Sequence, residues 1–291
     1  MEATKVTTRT NDEIRAEVSR SYGSRVQRTL DEGELIVLNQ SASCCAPAES
    51  TSEASCCGDS EVSDIQITNV ARMYKDADVS NLPATVTDVA FGCGNPTAIS
   101  ALQPGETVLD LGSGGGIDCF LAAKMVGDFG WVYGVDMTPN MIALARKNQA
   151  KVGATNVEFR LGEIEHLPID TDSVDVVISN CVINLSPDKG QVFREAFRAL
   201  RPGGRLQVSD IVWTQPAPEA IKDDMEQWAG CIAGAMLETD YLAAVRAAGF
   251  ENVTSVASEY PGGKGLASAA VTATKPQANG GCCGPDCCGT N

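Results

Sequence analysis

The stretch from Thr107 to Asp210 constrains the fold most. TVLDLG (107–112) is strand-like and runs straight into the small residues SGGG. A helical pattern follows over Ile117–Val126, then WVYGVD (131–136), a second helical pattern over Pro139–Val152, and NVEFRLG (156–162) as a third strand. VDVVISN (174–180) reads as a fourth strand, apolar enough to be buried on both faces. Asp188–Arg201 reads as a helix stopped by RPGG, and GRLQVSD (204–210) as a fifth strand. Strands alternating with helices at this spacing predict a mostly parallel sheet with both faces covered.

Other segments flank this core. Residues 1–40 are polar, with a helical period through Ile14, Val18, Tyr22 and Val26. Residues 41–64 are small, acidic and cysteine-studded, and are expected to form a loop. Ile65 to Ala101 holds two short helical stretches and a glycine-rich turn, FGCGNPT. After Trp213, Pro216 and Pro218 break the chain before a helix near Glu219–Cys231. A further helix over Asp240–Ala248 ends at Gly249. NVTSVASEY and LASAAVTATK, separated by PGGKG, are expected to return to the sheet as antiparallel edge strands. The tail PQANGGCCGPDCCGTN has no apolar period and is expected to be disordered unless a metal orders it. The expected divisions are 1–64, 65–213, 214–275 and 276–291.

At 291 residues the chain is long enough to bury a large core without a staple. A formal net charge of −16 argues against nucleic acid or an anionic membrane as the main partner. No run approaches 18 apolar residues, so no membrane span is expected. The polar start MEATKVTTRTNDEIR lacks a signal-like apolar core, which points to the cytoplasm.

The glycine loop carries the first chemistry. Gly112, Gly114 and Gly116 let the backbone turn tightly and approach a ligand closely. Asp136 ends the second strand, 24 residues after Gly112, where a carboxylate can accept hydrogen bonds from both ribose hydroxyls. Asp110 lies near the end of the first strand, and its charge suits a cationic group better than a pyrophosphate. S-adenosylmethionine carries a sulfonium and an ammonium and no phosphate. Glu163, after the third strand, is placed to bond the adenine amino group, with Ile164 against the ring. The cofactor residues are thus expected to be Asp110, Gly112, Gly114, Asp136, Met137, Glu163, Ile164 and Asn180. His166, the only histidine, is expected to pack or cap beside this loop, and its solitude argues against a histidine-rich metal site.

The twelve cysteines carry the second chemistry. Eight form adjacent pairs: Cys44-Cys45, Cys56-Cys57, Cys282-Cys283 and Cys287-Cys288. Adjacent cysteines rarely find good disulfide geometry with each other, so thiol chemistry or soft-metal binding in a reducing compartment is the better reading. Of the singles, Cys181 directly follows the fourth strand, on the sheet edge where open parallel sheets bind ligands. Cys93 lies 88 residues before it and Cys231 lies 50 after. Taken alone, each has an ordinary alternative as a small buried apolar residue. Cys119, one turn into the helix after the glycine loop, is left with that alternative.

The order VLDLGSGGG, strand-ending Asp136, GEIEHLP and a fourth strand ending in SN resembles the class I S-adenosylmethionine-dependent methyltransferases. More closely, SCC, FGCGNPTA, VLDLGSGGGIDCFLAA, SNCVINLSPDK and WAGCIAGA together resemble the arsenite methyltransferase family over about residues 20–275. The resemblance implies a Rossmann-like α/β core, an N-terminal helical and cysteine segment, and a smaller C-terminal α+β substrate-binding region. It implies that Cys93, Cys181 and Cys231 bind trivalent arsenic. Cys44 or Cys45 is the natural candidate for a further N-terminal thiol, though Cys56 and Cys57 leave that choice open. Cys282, Cys283, Cys287 and Cys288 resemble the cysteine-rich tails of many members and imply accessory metalloid binding.

The chemistry agrees with the resemblance. Arsenic(III) is soft and prefers thiolates. Held by sulfur it keeps a lone pair that can attack a sulfonium methyl, so no general base is needed. Methylation formally gives pentavalent arsenic, and a cysteine pair can return two electrons by forming a disulfide. Turnover then requires an external thiol reductant such as thioredoxin or glutathione. The expected enzyme is a cytoplasmic monomer. Its rivals are a methyltransferase acting on carbon or oxygen of a small apolar metabolite, and a non-enzymatic thiol-based metalloid binder. A nicotinamide dehydrogenase and zinc on the cysteine pairs are weaker readings.

Overall fold

The structure, a computed structural model, describes residues 10–32, 82–87, 97–218, 231–260 and 265–277. Helix α1 (Asn11–Glu32) comes first, then the short helices α2 (Ala84–Thr87) and α3 (Thr97–Ser100). The alternating core follows as β1 (Thr107–Leu111), α4 (Ile117–Val126), β2 (Trp131–Asp136), α5 (Pro139–Val152), β3 (Val157–Leu161) and β4 (Val174–Asn180). A 3-10 turn (Ile183–Leu185) leads to α6 (Lys189–Ala199), β5 (Leu200–Trp213), α7 (Glu238–Ala247), β6 (Glu251–Glu259) and β7 (Leu266–Thr274).

The strands form one sheet in the order β3-β2-β1-β4-β5-β7-β6. The first five are parallel, while β7 runs antiparallel to β5, and β6 antiparallel to β7. Side chains alternate across the central strands. Val108, Val176 and Ile178 join a cluster with Phe120 and Val126 of α4, while Leu109, Leu111 and Val177 join the opposite cluster with Phe193 of α6 and Tyr241 of α7. Helix α6 buries Val192, Phe193, Ala196 and Ala199, and Asp188 caps it by accepting from the Gln191 N–H at 2.9 Å. The expected α/β class and its parallel core are present.

Three local expectations change. The sequence stops the helix at Arg201 and starts a strand at Gly204. In the structure α6 ends at Ala199, and β5 runs on through Arg201-Pro202-Gly203-Gly204 for 14 residues. The extra residues form an irregularity: Leu200 pairs with Val174, but Arg205 pairs with Val176. Gly203 and Gly204 exchange backbone hydrogen bonds with Lys275, which holds this segment to the end of β7. Of the two expected edge strands only β6 is at the edge, since β7 lies between β5 and β6. Cys231 stands in a turn instead of a helix end, and the rest of the helix expected near 219–231 lies outside the described residues.

Helix α1 buries Val18, Tyr22 and Val26, the positions its period singles out. They pack with Met141 and Leu144 of α5 and with Ile211 and Trp213 of β5. The Gly23 carbonyl accepts from Asn140 Nδ2 at 3.3 Å.

Candidate active site

The glycine loop begins where β1 ends. Gly112 and Ser113 donate to the Val135 carbonyl at 2.7 and 3.0 Å, which ties the loop to β2. Asp136 closes it from the other side. Its Oδ2 accepts from the Gly114 N–H at 3.0 Å and its Oδ1 from the Thr138 N–H at 2.8 Å. Burial raises the Asp136 pKa, and those N–H bonds oppose the rise. Gly112 has φ 73°, and a Cβ there would collide with the Val182 side chain, so no larger residue fits without a shift. Gly114, at φ 49°, would point a Cβ into open space.

Above the loop lies a cleft that is partly open to solvent. Gly112, Gly114, Asp136, Met137, Ile164 and Asn180 line it, as the sequence expects. Two expected residues do not reach its wall. Asp110 is 2% exposed and accepts from the Cys119 thiol at 3.3 Å. Burial, with the charges of Asp118 and Asp136 adding to it, pushes its pKa well up against that hydrogen bond. Glu163 faces outward beside Arg15, with 3.5 Å between charged atoms. His166 departs more clearly from expectation: its side chain is 72% exposed and neither packs nor caps the loop, standing 3.8 Å from Glu163.

Sequence reasoning missed several lining residues. Asp118, in the first turn of α4, faces the cleft and takes a 3.4 Å contact from Asn180 Nδ2. Arg15, Val18 and Tyr22 of α1 roof it, and Glu165 and Ser186 close one end. The period of α1 was legible, and only its target was not. The donor set fits a nucleoside carrying a cationic group. Ser113 Oγ is buried on the cleft wall with no hydrogen-bond partner, and Asp118 and Asp136 supply carboxylates beside it.

Cys181 stands on the cleft wall just beyond β4, and its N–H donates to the Ser209 carbonyl of β5 at 2.8 Å. The Cys231 thiol donates to the Cys181 carbonyl at 2.9 Å. The structure therefore joins two cysteines that are 50 residues apart. Both have positive φ, 60° at Cys181 and 65° at Cys231. Among the described residues the two other non-glycine residues of this kind are Asp172 and Asn252, whose short polar side chains tolerate that conformation. A cysteine has no such excuse, and strain of this kind gathers at functional sites. Cys181 is disulfide-bonded, where the sequence predicts thiol chemistry, and Cys119 and Cys231 form no disulfide. Cys119 lies in the core below the loop, as expected. Cys93, Cys44, Cys45, Cys56, Cys57, Cys282, Cys283, Cys287 and Cys288 lie outside the described residues. Among the described residues no three acidic, cysteine or histidine side chains converge as a metal site.

Charged groups lie near the thiols. Lys189 donates to the Ser186 carbonyl at 2.9 Å. Desolvation lowers its pKa to about 8, opposed by Asp210, Cys231 and Glu165. Asp210 is fully buried and accepts from the Tyr241 hydroxyl at 2.9 Å. Desolvation raises its pKa to about 7, opposed by Tyr241, Lys189 and the Asn184 backbone.

A parallel sheet with a glycine loop at its carboxyl edge, a strand-ending carboxylate and a cleft above that loop defines the class I methyltransferase fold. A methyltransferase-domain family matches residues 102–250. An arsenite methyltransferase of Halobacterium salinarum is 47% identical over 247 residues, covering 80% of this chain and 62% of its own length. The human arsenite methyltransferase is 42% identical over 155 residues, covering 50% of this chain and 41% of its own. The crystal structure of an arsenic(III) S-adenosylmethionine methyltransferase from Chlamydomonas reinhardtii superimposes with a TM-score of 0.54 at 31% identity, covering 73% of this chain and 75% of that one. The chain belongs to the arsenite methyltransferase family. It spans 62% or less of the length of these two curated relatives.

Proposed function

We infer that the protein transfers methyl groups from S-adenosylmethionine to thiolate-bound trivalent arsenic. The observation that carries this reading is the meeting of Cys181 and Cys231 at the cleft edge, both in a backbone conformation that cysteine rarely adopts. A methyltransferase acting on carbon or oxygen has no use for such a pair.

S-adenosylmethionine, when bound, supplies an electrophilic methyl on a sulfonium. The chain's own residues position it. The Gly112–Gly115 loop and Asp136 take the nucleoside end, with Met137 and Ile164 as apolar walls. Asp118 and Asn180 lie at the polar end, where an ammonium group is favoured. Cys181 and Cys231, once reduced, hold arsenic by soft thiolate bonds, with Cys93 and an N-terminal cysteine as further ligands. Arsenic keeps a lone pair and loses no proton in the methyl transfer, so the protein's task is to align the two partners. Arsenic formally gains two units of oxidation state in that step. A pair of cysteine thiols returns two electrons, loses two protons and becomes a disulfide. A dithiol such as thioredoxin, or glutathione, resets the pair, which suits a reducing cytoplasm. In this reading the protein works as a monomer. The tail cysteines are accessory metalloid sites in this reading.

The decisive test is incubation of reduced protein with arsenite, S-adenosylmethionine and a dithiol, followed by arsenic speciation. Mono- and dimethylated arsenicals are expected. Tight arsenite binding with no methylated product would overturn the reading in favour of a metalloid buffer.

A further inference from the structure

Glu165 is 2% exposed and belongs neither to the nucleoside loop nor to the thiols, yet it touches elements of both. Its Oε1 accepts from Arg15 Nε of α1 at 3.2 Å and from Ser186 Oγ at 2.7 Å. Its backbone carbonyl accepts from Gln191 Nε2 of α6 at 3.1 Å. Ser186 ends the short segment that begins at Cys181, and its Oγ also accepts from the Asp188 N–H at 3.1 Å. Arg15 is tied to Asp12 of its own helix at 2.9 Å. Burial works against the charge of Arg15, but Glu165 and Glu163 more than offset it and hold its pKa above the usual guanidinium value. Helix α1 roofs the cleft through Arg15, Val18 and Tyr22, and Val18 and Tyr22 share one apolar cluster with Cys181 and Cys231. A nucleoside seated in the cleft therefore lies against α1.

We propose that Glu165 is a positioning residue that joins the roof helix to the Cys181 segment through one carboxylate oxygen, so that closure over the cofactor and the setting of the arsenic thiol are a single event. The proposal rests on the functional reading above for the identity of the cofactor and the role of Cys181. A buried carboxylate bonded to both a guanidinium and a hydroxyl transmits displacement of either, because losing one partner leaves a charge under-satisfied. Coupling of this kind is reciprocal: whatever cofactor binding does to the thiol, occupation of the thiol does to cofactor affinity.

The test needs no arsenic. Fully reduced protein is titrated with S-adenosylhomocysteine, and two signals are read with and without it. One is amide hydrogen exchange over residues 11–32. The other is the alkylation rate of Cys181, resolved by peptide mass spectrometry. In the wild-type chain the ligand should slow both. In Glu165→Ala the ligand should still bind, about ten-fold more weakly, the scale of one charge-assisted hydrogen bond. It should no longer slow Cys181 alkylation. Glu165→Gln keeps an acceptor for Ser186 and should retain part of the protection. Arg15→Met cuts the link from the roof side at a less buried residue, and covers the case in which Glu165→Ala fails to fold. If folded Glu165→Ala or Arg15→Met keeps wild-type affinity and full ligand protection of Cys181, the proposal is wrong. If the wild-type chain binds ligand but Cys181 is indifferent to it, the coupling does not exist, although the cofactor assignment stands. If the wild-type chain binds no ligand at all, the functional reading falls and takes this proposal with it.

Discussion

The two walls of the cleft are built on different plans. The nucleoside wall comes from consecutive chain: β1, the glycine loop, the start of α4 and the end of β2, bonded mostly between neighbouring elements. The thiol wall is Cys181 after β4, backed from a separate segment beyond β5 by Cys231, whose sulfur donates to the Cys181 carbonyl. The first plan is generic and serves any methyl acceptor. The second is particular and, on the proposed function, decides which acceptor is used. Substitutions on one wall should therefore leave the other wall's ligand able to bind alone, with the coupling through Glu165 felt only when both ligands are present.

The largest separation is expected at the thiols. Cys181→Ser and Cys231→Ser should lose methylation of both arsenite and monomethylarsenite while keeping cofactor affinity. Arsenite offers three exchangeable positions and monomethylarsenite only two. Cys93→Ser should accordingly lose most activity on arsenite and keep substantial activity on the monomethyl substrate. Initial rates on both substrates, with a small dithiol present, decide the matter. Normal monomethylarsenite turnover by Cys181→Ser would break the comparison outright.

Next in size is the glycine loop itself. Gly112→Ala combines left-handed strain of about 1–2 kcal/mol with overpacking against Val182 of about 1–3 kcal/mol. Gly114→Ala bears the conformational part alone, since no heavy atom lies within 4 Å of its Cβ position. Urea denaturation of the pair should rank Gly112→Ala as clearly the less stable. Equal stabilities would mean that the close approach to Val182 is not a constraint.

A third contrast concerns ligand affinity. Asp136→Ala should weaken S-adenosylmethionine binding by about 1–3 kcal/mol, the range for hydrogen bonds to a charged group. Arsenite binding should persist. Calorimetry with each ligand alone reads both halves, and an equal loss of arsenite affinity without cofactor present would mean that Asp136 holds the thiol wall as well.

The last contrast is a pH slope. Asp210 has a folded pKa of about 7 against an ordinary 3.8, so the folded state holds a proton that the unfolded chain has released between these values. Its stabilising contribution is full below about pH 4 and is lost as pH rises through 7. Lys189 acts with the opposite slope, at higher pH. Its depressed pKa of about 8 is a penalty at neutral pH that eases as pH climbs towards 10.5. Asp210→Asn should therefore compare least well with wild type near pH 4.5 and better at pH 7.5. Denaturation curves at the two values that differ by a constant offset would contradict the buried-acid assignment.

Legibility in the sequence follows the same division. Buried parallel strands are short apolar runs punctuated by glycine, so β1 through β4 could be placed from composition and spacing alone. The continuation of β5 through Arg201–Gly204 could not, because Pro-Gly-Gly has the composition of a stop signal. What keeps it in the sheet is pairing with Lys275, about seventy residues later. Asp110 was expected in the cleft because it lies near a strand end. Strand alternation instead puts it on the Val108 face, beneath α4, where Cys119 meets it. Asp118 takes the place on the wall. The helical period of α1 told that a face is buried and not what it covers. Nothing in a sequence marks a cysteine as left-handed, so the strain at Cys181 and Cys231 emerged only in three dimensions.

Strand β5 does more than extend the sheet. Ser209 receives the Cys181 N–H, and four residues on, Trp213 binds the Cys231 side through the Met236 and Ile232 carbonyls. If Cys181 and Cys231 clamp arsenic as proposed, both jaws are thus bolted to one rigid beam. A clamp on loops adapts its gap to whatever it grips, whereas one on a β-strand holds a set gauge. The gauge favours an ion of one bond length. Antimony(III), with longer bonds to sulfur than arsenic, should bind the reduced pair less tightly than thiol softness alone would dictate, and competition between the two ions would measure the stiffness of the beam.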